Sequence, residues 1–97
     1  MAKINWTEEA SRWLEDIYSY IAADNPAAAS RTVEGIYDRA QELLTYPEIG
    51  YRYVPSERHV RIILYGHYRI AYLLKDNSDI DILGVFHGSL EMSRYQL

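Results

Sequence analysis

The sequence predicts an α+β domain in which a helical hairpin packs on one face of a small antiparallel sheet, in the order β-α-α-β-β-β. In the first half of the chain, apolar residues recur every three or four positions, which is typical of amphipathic helices. In the second half, three runs rich in β-branched and aromatic residues are separated by short polar or glycine-containing breaks. No linker or repeat divides the two halves, so residues 1–97 are expected to form a single domain.

The N-terminal segment predicts one short strand and one helix. Residues 3–6 (KINW) form the strand, and Thr7 or Asn5 is placed to cap the helix, with acidic residues favourable in its first turn. The helix spans about four turns and ends near Ala23. Its apolar stripe consists of Ala10, Trp13, Leu14, Ile17 and Ile21.

A second helix is predicted after the break at residues 24–30 (DNPAAAS). Asn25 suits the N-cap, and Pro26 suits the first helical position because no N–H is needed there. Pro47 and Gly50 end the helix. Its apolar stripe consists of Val33, Ile36, Tyr37, Ala40, Leu43 and Leu44. Two amphipathic helices joined by so short a turn predict an αα-hairpin.

Three strands are predicted in the second half, at residues 60–65 (VRIILY), 68–75 (YRIAYLLK) and 79–86 (DIDILGVF). The breaks between them are short, which favours an antiparallel meander. The last ten residues, GSLEMSRYQL, are compatible with a helical turn, an edge strand or a frayed end. We therefore expect the sheet face away from the helices to be half covered.

Composition limits the classes of protein to which the chain can belong. Its 97 residues are 48% hydrophobic and 25% charged, which is the balance of a globular domain. The absence of cysteine excludes disulfides and a cysteine-based zinc site. No N-terminal apolar run resembles a signal peptide, and no stretch reaches transmembrane length, so we expect a cytoplasmic protein with no membrane partner.

The net charge of −4 is unevenly distributed. Residues 1–50 carry 4 basic and 9 acidic side chains, a balance of −5, whereas residues 51–97 carry 6 basic and 5 acidic side chains, a balance of +1. Proteins that depend on phosphate contacts usually have a clear basic excess. Direct DNA binding is therefore not expected.

Four short motifs carry a resemblance to a known family: DNPAAA (24–29), YPEIG (46–50), YRIAY (68–72) and VFHG (85–88). In this order and spacing the chain resembles the RelE/ParE superfamily of toxins from type II toxin–antitoxin systems, and is closer to the ParE branch. The resemblance implies one fold with two activities. RelE-type members are ribosome-dependent mRNA endonucleases, whereas ParE-type members bind DNA gyrase and block replication. Both are neutralised by an antitoxin whose flexible segment wraps the toxin.

The nuclease alternative can be examined residue by residue. Metal-free RNA cleavage needs a base for the 2′-OH, cations for the phosphorane and an acid for the leaving oxygen. The resemblance implies an arginine on the third strand and a basic or histidine group at the end of the fourth, which are Arg69 and His87 here. Arg61 is the candidate second cation and Tyr95 the candidate tail hydroxyl. Lysine is absent between Lys3 and Lys75, so the groove cations of such nucleases are sparse.

The register of the last hairpin decides whether this pair can cooperate. A two-residue turn at Asn77-Ser78 places Phe86 opposite Arg69, which sends Arg69 and His87 to opposite faces of the sheet. A three-residue loop over residues 77–79 places His87 opposite Arg69, with Cβ atoms about 5 Å apart. The resemblance favours the three-residue register, because family members align here without a gap.

The favoured interpretation is a ParE-like toxin that inhibits DNA gyrase by protein–protein binding, without a catalytic group, cofactor or metal. Its target-binding candidates are Arg61, Arg69, His87 and Tyr95, since arginine and tyrosine are favoured at binding hot spots. The candidates for binding a cognate antitoxin, ParD-like or other, in a hetero-oligomer are Tyr18, Tyr20, Tyr37 and Tyr46. A third interpretation is a non-toxic family member that acts as a scaffold in a complex.

Overall fold

Two helices and five strands make up the fold of the computed structural model, which describes residues 2–90, 92–95 and 97. The elements are β1 (Ile4–Trp6), α1 (Glu8–Ala22), α2 (Pro26–Gln41), β2 (Tyr51–Arg52), β3 (Val60–Tyr65), β4 (Tyr68–Leu74) and β5 (Ile80–His87). Short 3-10 helices follow α2 at Glu42–Leu44 and lie in the tail at Met92–Arg94. The predicted fold class, α+β with a helical hairpin on a sheet, is confirmed.

The sheet is mixed, with the strand order β1-β5-β4-β3-β2. The meander β3-β4-β5 is antiparallel as predicted, but β1 pairs with β5 in parallel, with Ile4 opposite Ile80 and Trp6 opposite Ile82. The expectation of a wholly antiparallel sheet is corrected here, because the helical hairpin returns the chain so that β1 and β5 run the same way. The sequence also missed β2, since two residues are too few to show an alternating pattern.

Both helices begin at the predicted caps. The Asn25 side chain accepts a hydrogen bond from the Ala28 N–H, with Pro26 at the first helical position. The Thr7 hydroxyl accepts from the Ala10 N–H at 3.1 Å and donates to the carbonyl of Ile82 at 2.7 Å. The same hydroxyl therefore caps α1 and ties the helix to β5.

Thr7→Val is expected to lower the free energy of unfolding by about 1 kcal/mol, because it removes a side-chain cap. Urea denaturation followed by circular dichroism measures the change. Thr7→Ser retains the hydroxyl and is the matched control. A valine variant as stable as the serine variant would show that the cap contributes nothing.

Two apolar clusters cover the two faces of the sheet. The first lies between the sheet and the helices and is built from residues such as Ile36, Leu43, Ile70 and Val85, all buried. The second lies on the opposite face, and its members are Ile62, Ala71, Phe86 and Met92 with Trp13, Tyr53, Leu83, Leu90, Tyr95 and Leu97 packed around them. The C-terminal residues therefore cover the second face, which the sequence did not reveal because the tail has no clear apolar period.

Candidate functional site

The turn between β3 and β4 and the end of β5 meet at one end of the sheet. Gly66 has φ +56°, a left-handed conformation that glycine adopts without strain, and it reverses the chain at this turn. The N–H of Gly88 donates to the carbonyl of His67 at 2.6 Å, which joins the turn to the chain after β5. A cavity of about 460 Å³ lies here, and His67, Arg69, His87 and Ser89 contribute to its lining.

The register of β4 and β5 places Arg69 opposite Phe86, and His87 opposite Tyr68. The prediction that His87 lies opposite Arg69 was therefore wrong, and the two side chains point to opposite faces of the sheet. His87 lies on the helix side, with its ring edge-on to that of Tyr68 at 5.6 Å. Arg69 lies on the tail side, where its strand neighbour Ala71 belongs to the tail-face cluster.

Two features of the hairpin combine to give this register. Its loop has three residues, but they are 76–78 rather than 77–79, since the N–H of Lys75 donates to the carbonyl of Asp79. Ser78 has φ +74°, which closes the loop in a left-handed conformation. A β-bulge opposite Ala71 and Tyr72 then shifts the pairing by one residue, so that the pairing at Arg69 is that of the simple two-residue turn.

Arg69 donates to the main chain of the tail. Its Nη2 lies 2.6 Å from the carbonyl oxygen of Leu90 and 3.5 Å from that of His87. Its Nε is buried and has no hydrogen-bond partner among the described residues. The guanidinium is therefore anchored at the edge of the cavity.

Arg61 is held just as firmly, but elsewhere. Its Nη1 donates to the carbonyls of Gly50 at 2.6 Å and Glu48 at 3.2 Å, and its Nε lies 3.2 Å from Nε2 of His59. Its Nη2 is 3.7 Å from the Glu48 carboxylate, and only 20% of its side chain is exposed. Arg61 therefore fixes the segment after α2, on the helix side and toward the other end of the strands from His87.

Tyr95 and His87 complete the set of four target-binding candidates. The ring of Tyr95 packs against those of Trp13 and Phe86, with centroids 5.3 and 5.1 Å away. His87 is exposed, and its Nδ1 lies 2.8 Å from Oγ of Ser89. Arg69 and His87 thus lie at the edge of one cavity because their main chains are close together there. The structure does not bring the four candidate side chains together.

The four tyrosines predicted to bind an antitoxin are all exposed, with relative exposures of 40% for Tyr18, 86% for Tyr20, 48% for Tyr37 and 61% for Tyr46. Tyr20 lines a groove of about 620 Å³ between α1 and the end of β5. The ring of Tyr37 stacks on that of Trp6 at 6.0 Å. The tyrosines therefore lie on several elements instead of forming one patch.

The sequence did not predict that a further set of apolar residues is exposed, and it had placed one of them, Leu44, on the apolar stripe of the second helix. Most of them follow α2 or lie on the loop before β3, and the set is Leu44, Ile49, Tyr51, Val54 and Leu64. Leu64 belongs to the apolar run IILY at the end of β3, in which no polar residue marks the side of the strand that faces outward. Val54 is 81% exposed in an irregular loop that has no period to interpret.

The described parts of the chain hold neither a cluster of metal-binding side chains nor a membrane-spanning helix. In residues 2–90, 92–95 and 97, no group of three or more histidine, aspartate or glutamate side chains could hold a metal ion. Over the same ranges, none of the helices has the length and apolar character needed to cross a bilayer.

A helical hairpin packed on a mixed five-strand sheet defines the RelE/ParE-like toxin fold. Residues 4–92 match the family described as ParE toxin of type II toxin-antitoxin system, parDE. This chain belongs to that family.

Individual proteins agree with this assignment. The chain is 33% identical over 85 residues to the Sinorhizobium fredii protein named "Putative toxin Y4kP". These aligned residues cover 88% of this chain and 86% of that protein. A structure titled "Chromosomal ParDE TA system from P. aeruginosa" matches with a TM-score of 0.72 and 25% identity, over 90% of this chain and 96% of that one. The RelBE2 toxin-antitoxin complex from Mycobacterium tuberculosis matches in fold, with a TM-score of 0.55 and 23% identity over 89% and 96% of the two chains.

Proposed function

We propose that this ParE-family toxin acts in the cytoplasm by binding DNA gyrase and inhibiting it, and that a cognate antitoxin neutralises it. One observation carries the first part of the proposal: Arg61 and Arg69 lie on opposite faces of the sheet, and main-chain carbonyls hold both guanidinium groups. A gyrase inhibitor needs a contact surface, and such a surface does not require these groups to converge.

The same observation weighs against the nuclease alternative. Metal-free RNA cleavage requires a base, an acid and a cation around one phosphate. Here Arg61 and His87 share the helix side of the sheet but lie toward opposite ends of the strands, while Arg69 and Tyr95 lie on the tail side. Bringing them around one phosphate would require a rearrangement of the sheet or the tail. We therefore keep RNA cleavage as an outcome of the test.

The antitoxin is inferred from the relatives and from the exposed aromatic residues. The P. aeruginosa structure is titled as a ParDE toxin–antitoxin system, and the M. tuberculosis structure as a toxin–antitoxin complex. An antitoxin segment that folds on binding would need apolar surface to bury. Tyr20 and Tyr46 offer it, together with the groove beside α1. Tyr18 and Tyr37 are the further candidates.

Supercoiling of relaxed plasmid by purified gyrase, with and without this protein, tests the proposal. We expect a dose-dependent loss of supercoiling, and recovery of supercoiling when the product of an adjacent antitoxin gene is added in equimolar amount. The matched assay incubates the protein with ribosomes and mRNA. Unchanged gyrase activity together with cleaved ribosome-bound mRNA would overturn the proposal in favour of the nuclease. No effect in either assay would favour the scaffold interpretation.

A further inference from the structure

The C-terminal segment, of which the structure describes residues 88–90, 92–95 and 97, lies over the tail side of the sheet, and these described residues do not join it as a strand. Its described part contains one short 3-10 helix, and its local hydrogen bonds run from the Leu90 N–H to the His87 carbonyl and from the Tyr95 N–H to the Met92 carbonyl. A segment with few regular main-chain bonds to its support depends on side chains for its position. Apolar packing supplies part of that support, through Leu90, Met92 and Tyr95.

In the described part of the segment, side chains from the body of the domain bind the main chain near both ends. Arg69 donates to the carbonyl of Leu90 at 2.6 Å, near the start of the segment. At its far end, the carbonyl oxygen of Leu97 accepts from Oγ of Ser56 at 2.7 Å and from Nε of Arg58 at 3.2 Å. The bond from Arg69 matters more for the position of the segment. The Nε of Arg69 is buried and unpartnered among the described residues, so the guanidinium makes few other hydrogen bonds.

We propose that Arg69 is the positioning residue of the C-terminal segment. Its guanidinium fixes the carbonyl of Leu90, which holds Tyr95 against Trp13 and Phe86 and fixes the chain that leaves His87. The inference rests on the proposed function in one respect, namely that this segment and the adjacent His87 form the surface that contacts gyrase. In this view Arg69 acts through the tail and does not itself contact the partner.

Hydrogen exchange of the full chain tests the structural half of the proposal. Arg69→Met keeps the length of the side chain but removes its donors, and we expect the Leu90 and Tyr95 amides to exchange about tenfold faster, as loss of a hydrogen bond from a charged group predicts. Arg69→Lys restores one donor and should keep exchange within about threefold of the wild-type rate. Arg12→Gln removes a positive charge whose ion pair with Glu8 is exposed, and is the matched control.

Amide exchange in α2 reports global unfolding. Once any change in the free energy of unfolding is taken into account, the α2 amides must exchange at the wild-type rate. If the methionine variant does not fold, Arg69→Gln replaces it, since glutamine keeps a polar head that is too short to reach the Leu90 carbonyl. Tail amides that exchange at the wild-type rate in every folded variant lacking the guanidinium would overturn the role of Arg69.

Gyrase inhibition by the same variants tests the functional half. We expect Arg69→Met to weaken gyrase inhibition and to speed amide exchange in the tail to a corresponding degree. Arg69→Lys should restore both the inhibition and the slow exchange. Weakened inhibition with an undisturbed tail would overturn the proposal and make Arg69 a direct contact, and an open tail with full inhibition would overturn it as well. A wild-type chain that leaves gyrase untouched defeats the proposed function alone, because the exchange rates still decide whether Arg69 holds the tail.

Discussion

Phe86→Ala is expected to lower the free energy of unfolding by about 3–5 kcal/mol, as is usual when a buried phenylalanine is truncated. Phe86 is only 1% exposed, at the centre of the tail-face cluster. Its ring meets that of Trp13 edge-on at 4.8 Å and that of Tyr95 at 5.1 Å. The truncation would leave a cavity where α1, β5 and the tail meet, so three parts of the fold lose contacts together.

Space for this ring is provided by Gly84 on the same strand. A Cβ at Gly84 would lie 2.7 Å from Cζ of Phe86, closer than real Cβ contacts allow. The ring therefore occupies the volume that a side chain at residue 84 would need. Gly84 has no side chain that could move into the cavity left by alanine, which places the expected loss toward the upper end of the usual range.

Urea unfolding followed by circular dichroism measures the loss, and Leu64→Ala is the control. Leu64 is also apolar and in the sheet, but it is 55% exposed, so its truncation should cost less than about 1 kcal/mol. In a domain whose total stability is of the order of 5–15 kcal/mol, the two variants are easily separated. Equal losses would mean that the tail and α1 do not pack on Phe86 in solution.

The sequence sufficed for the elements whose signals are local. Asn25 followed by Pro26 marks the start of α2 because an N-cap side chain and a proline at the first helical position satisfy the same helix end. The period of the apolar residues predicted which side of each helix is buried. Thr7 was one of two cap candidates, with Asn5, and its second bond, to the carbonyl of Ile82, depends on a residue 75 positions away.

The register of β4 and β5 could not be derived in this way. Moving the loop from 77–79 to 76–78 shifts the pairing by two residues and the bulge shifts it back by one, so the partner of Arg69 depends on both. The position of a bulge cannot be recognised in an apolar run such as ILGVF, because every residue there is compatible with either face of the sheet. The shift by two leaves Arg69 on the face of His87, so it is the bulge that moves Arg69 to the side of the tail.

The role of Arg69 was hidden for a related reason. On a strand, an arginine is ordinarily solvated or ion-paired, and the sequence offers Asp81 on the neighbouring strand as an acidic partner. In the structure Asp81 lies 3.6 Å from Lys75 and accepts from Asn5, while Arg69 donates to a main-chain carbonyl of the tail. A carbonyl acceptor carries no side-chain signature, so the sequence offers nothing that pairs Arg69 with Leu90.

Tyr72→Phe is expected to lower the free energy of unfolding by about 2–3 kcal/mol, because it removes two hydrogen bonds and leaves buried main-chain groups without a partner. The hydroxyl of Tyr72 donates to the carbonyl of Pro47 at 2.7 Å and accepts from the N–H of Gly50 at 3.1 Å. These bonds fix the segment between α2 and β2, whose carbonyls also hold Arg61. Tyr20→Phe alters an 86% exposed ring and should change stability by less than about 0.5 kcal/mol.

The same hydroxyl gives stability a dependence on alkaline pH. Burial raises the pKa of Tyr72 above its ordinary value, and this effect outweighs the opposing influence of the Gly50 hydrogen bond. In the unfolded chain the phenol loses its proton near pH 10, whereas the folded chain retains it to higher pH. The contribution of the Tyr72 phenol to the free energy of unfolding is therefore fully present below about pH 10. It declines as pH rises toward the folded-state pKa.

Denaturation curves of wild type and Tyr72→Phe between pH 8 and 11.5 isolate this contribution, since the other tyrosines and the lysines titrate in both proteins. We expect the stability difference to be constant up to about pH 10 and to narrow above it. A difference that stays constant to the end of the range would mean that the Tyr72 phenol ionises alike in folded and unfolded chains, and hence that its hydroxyl is hydrated. The bridge from β4 to Pro47 and Gly50 would then not be the element that fixes the chain between α2 and β2.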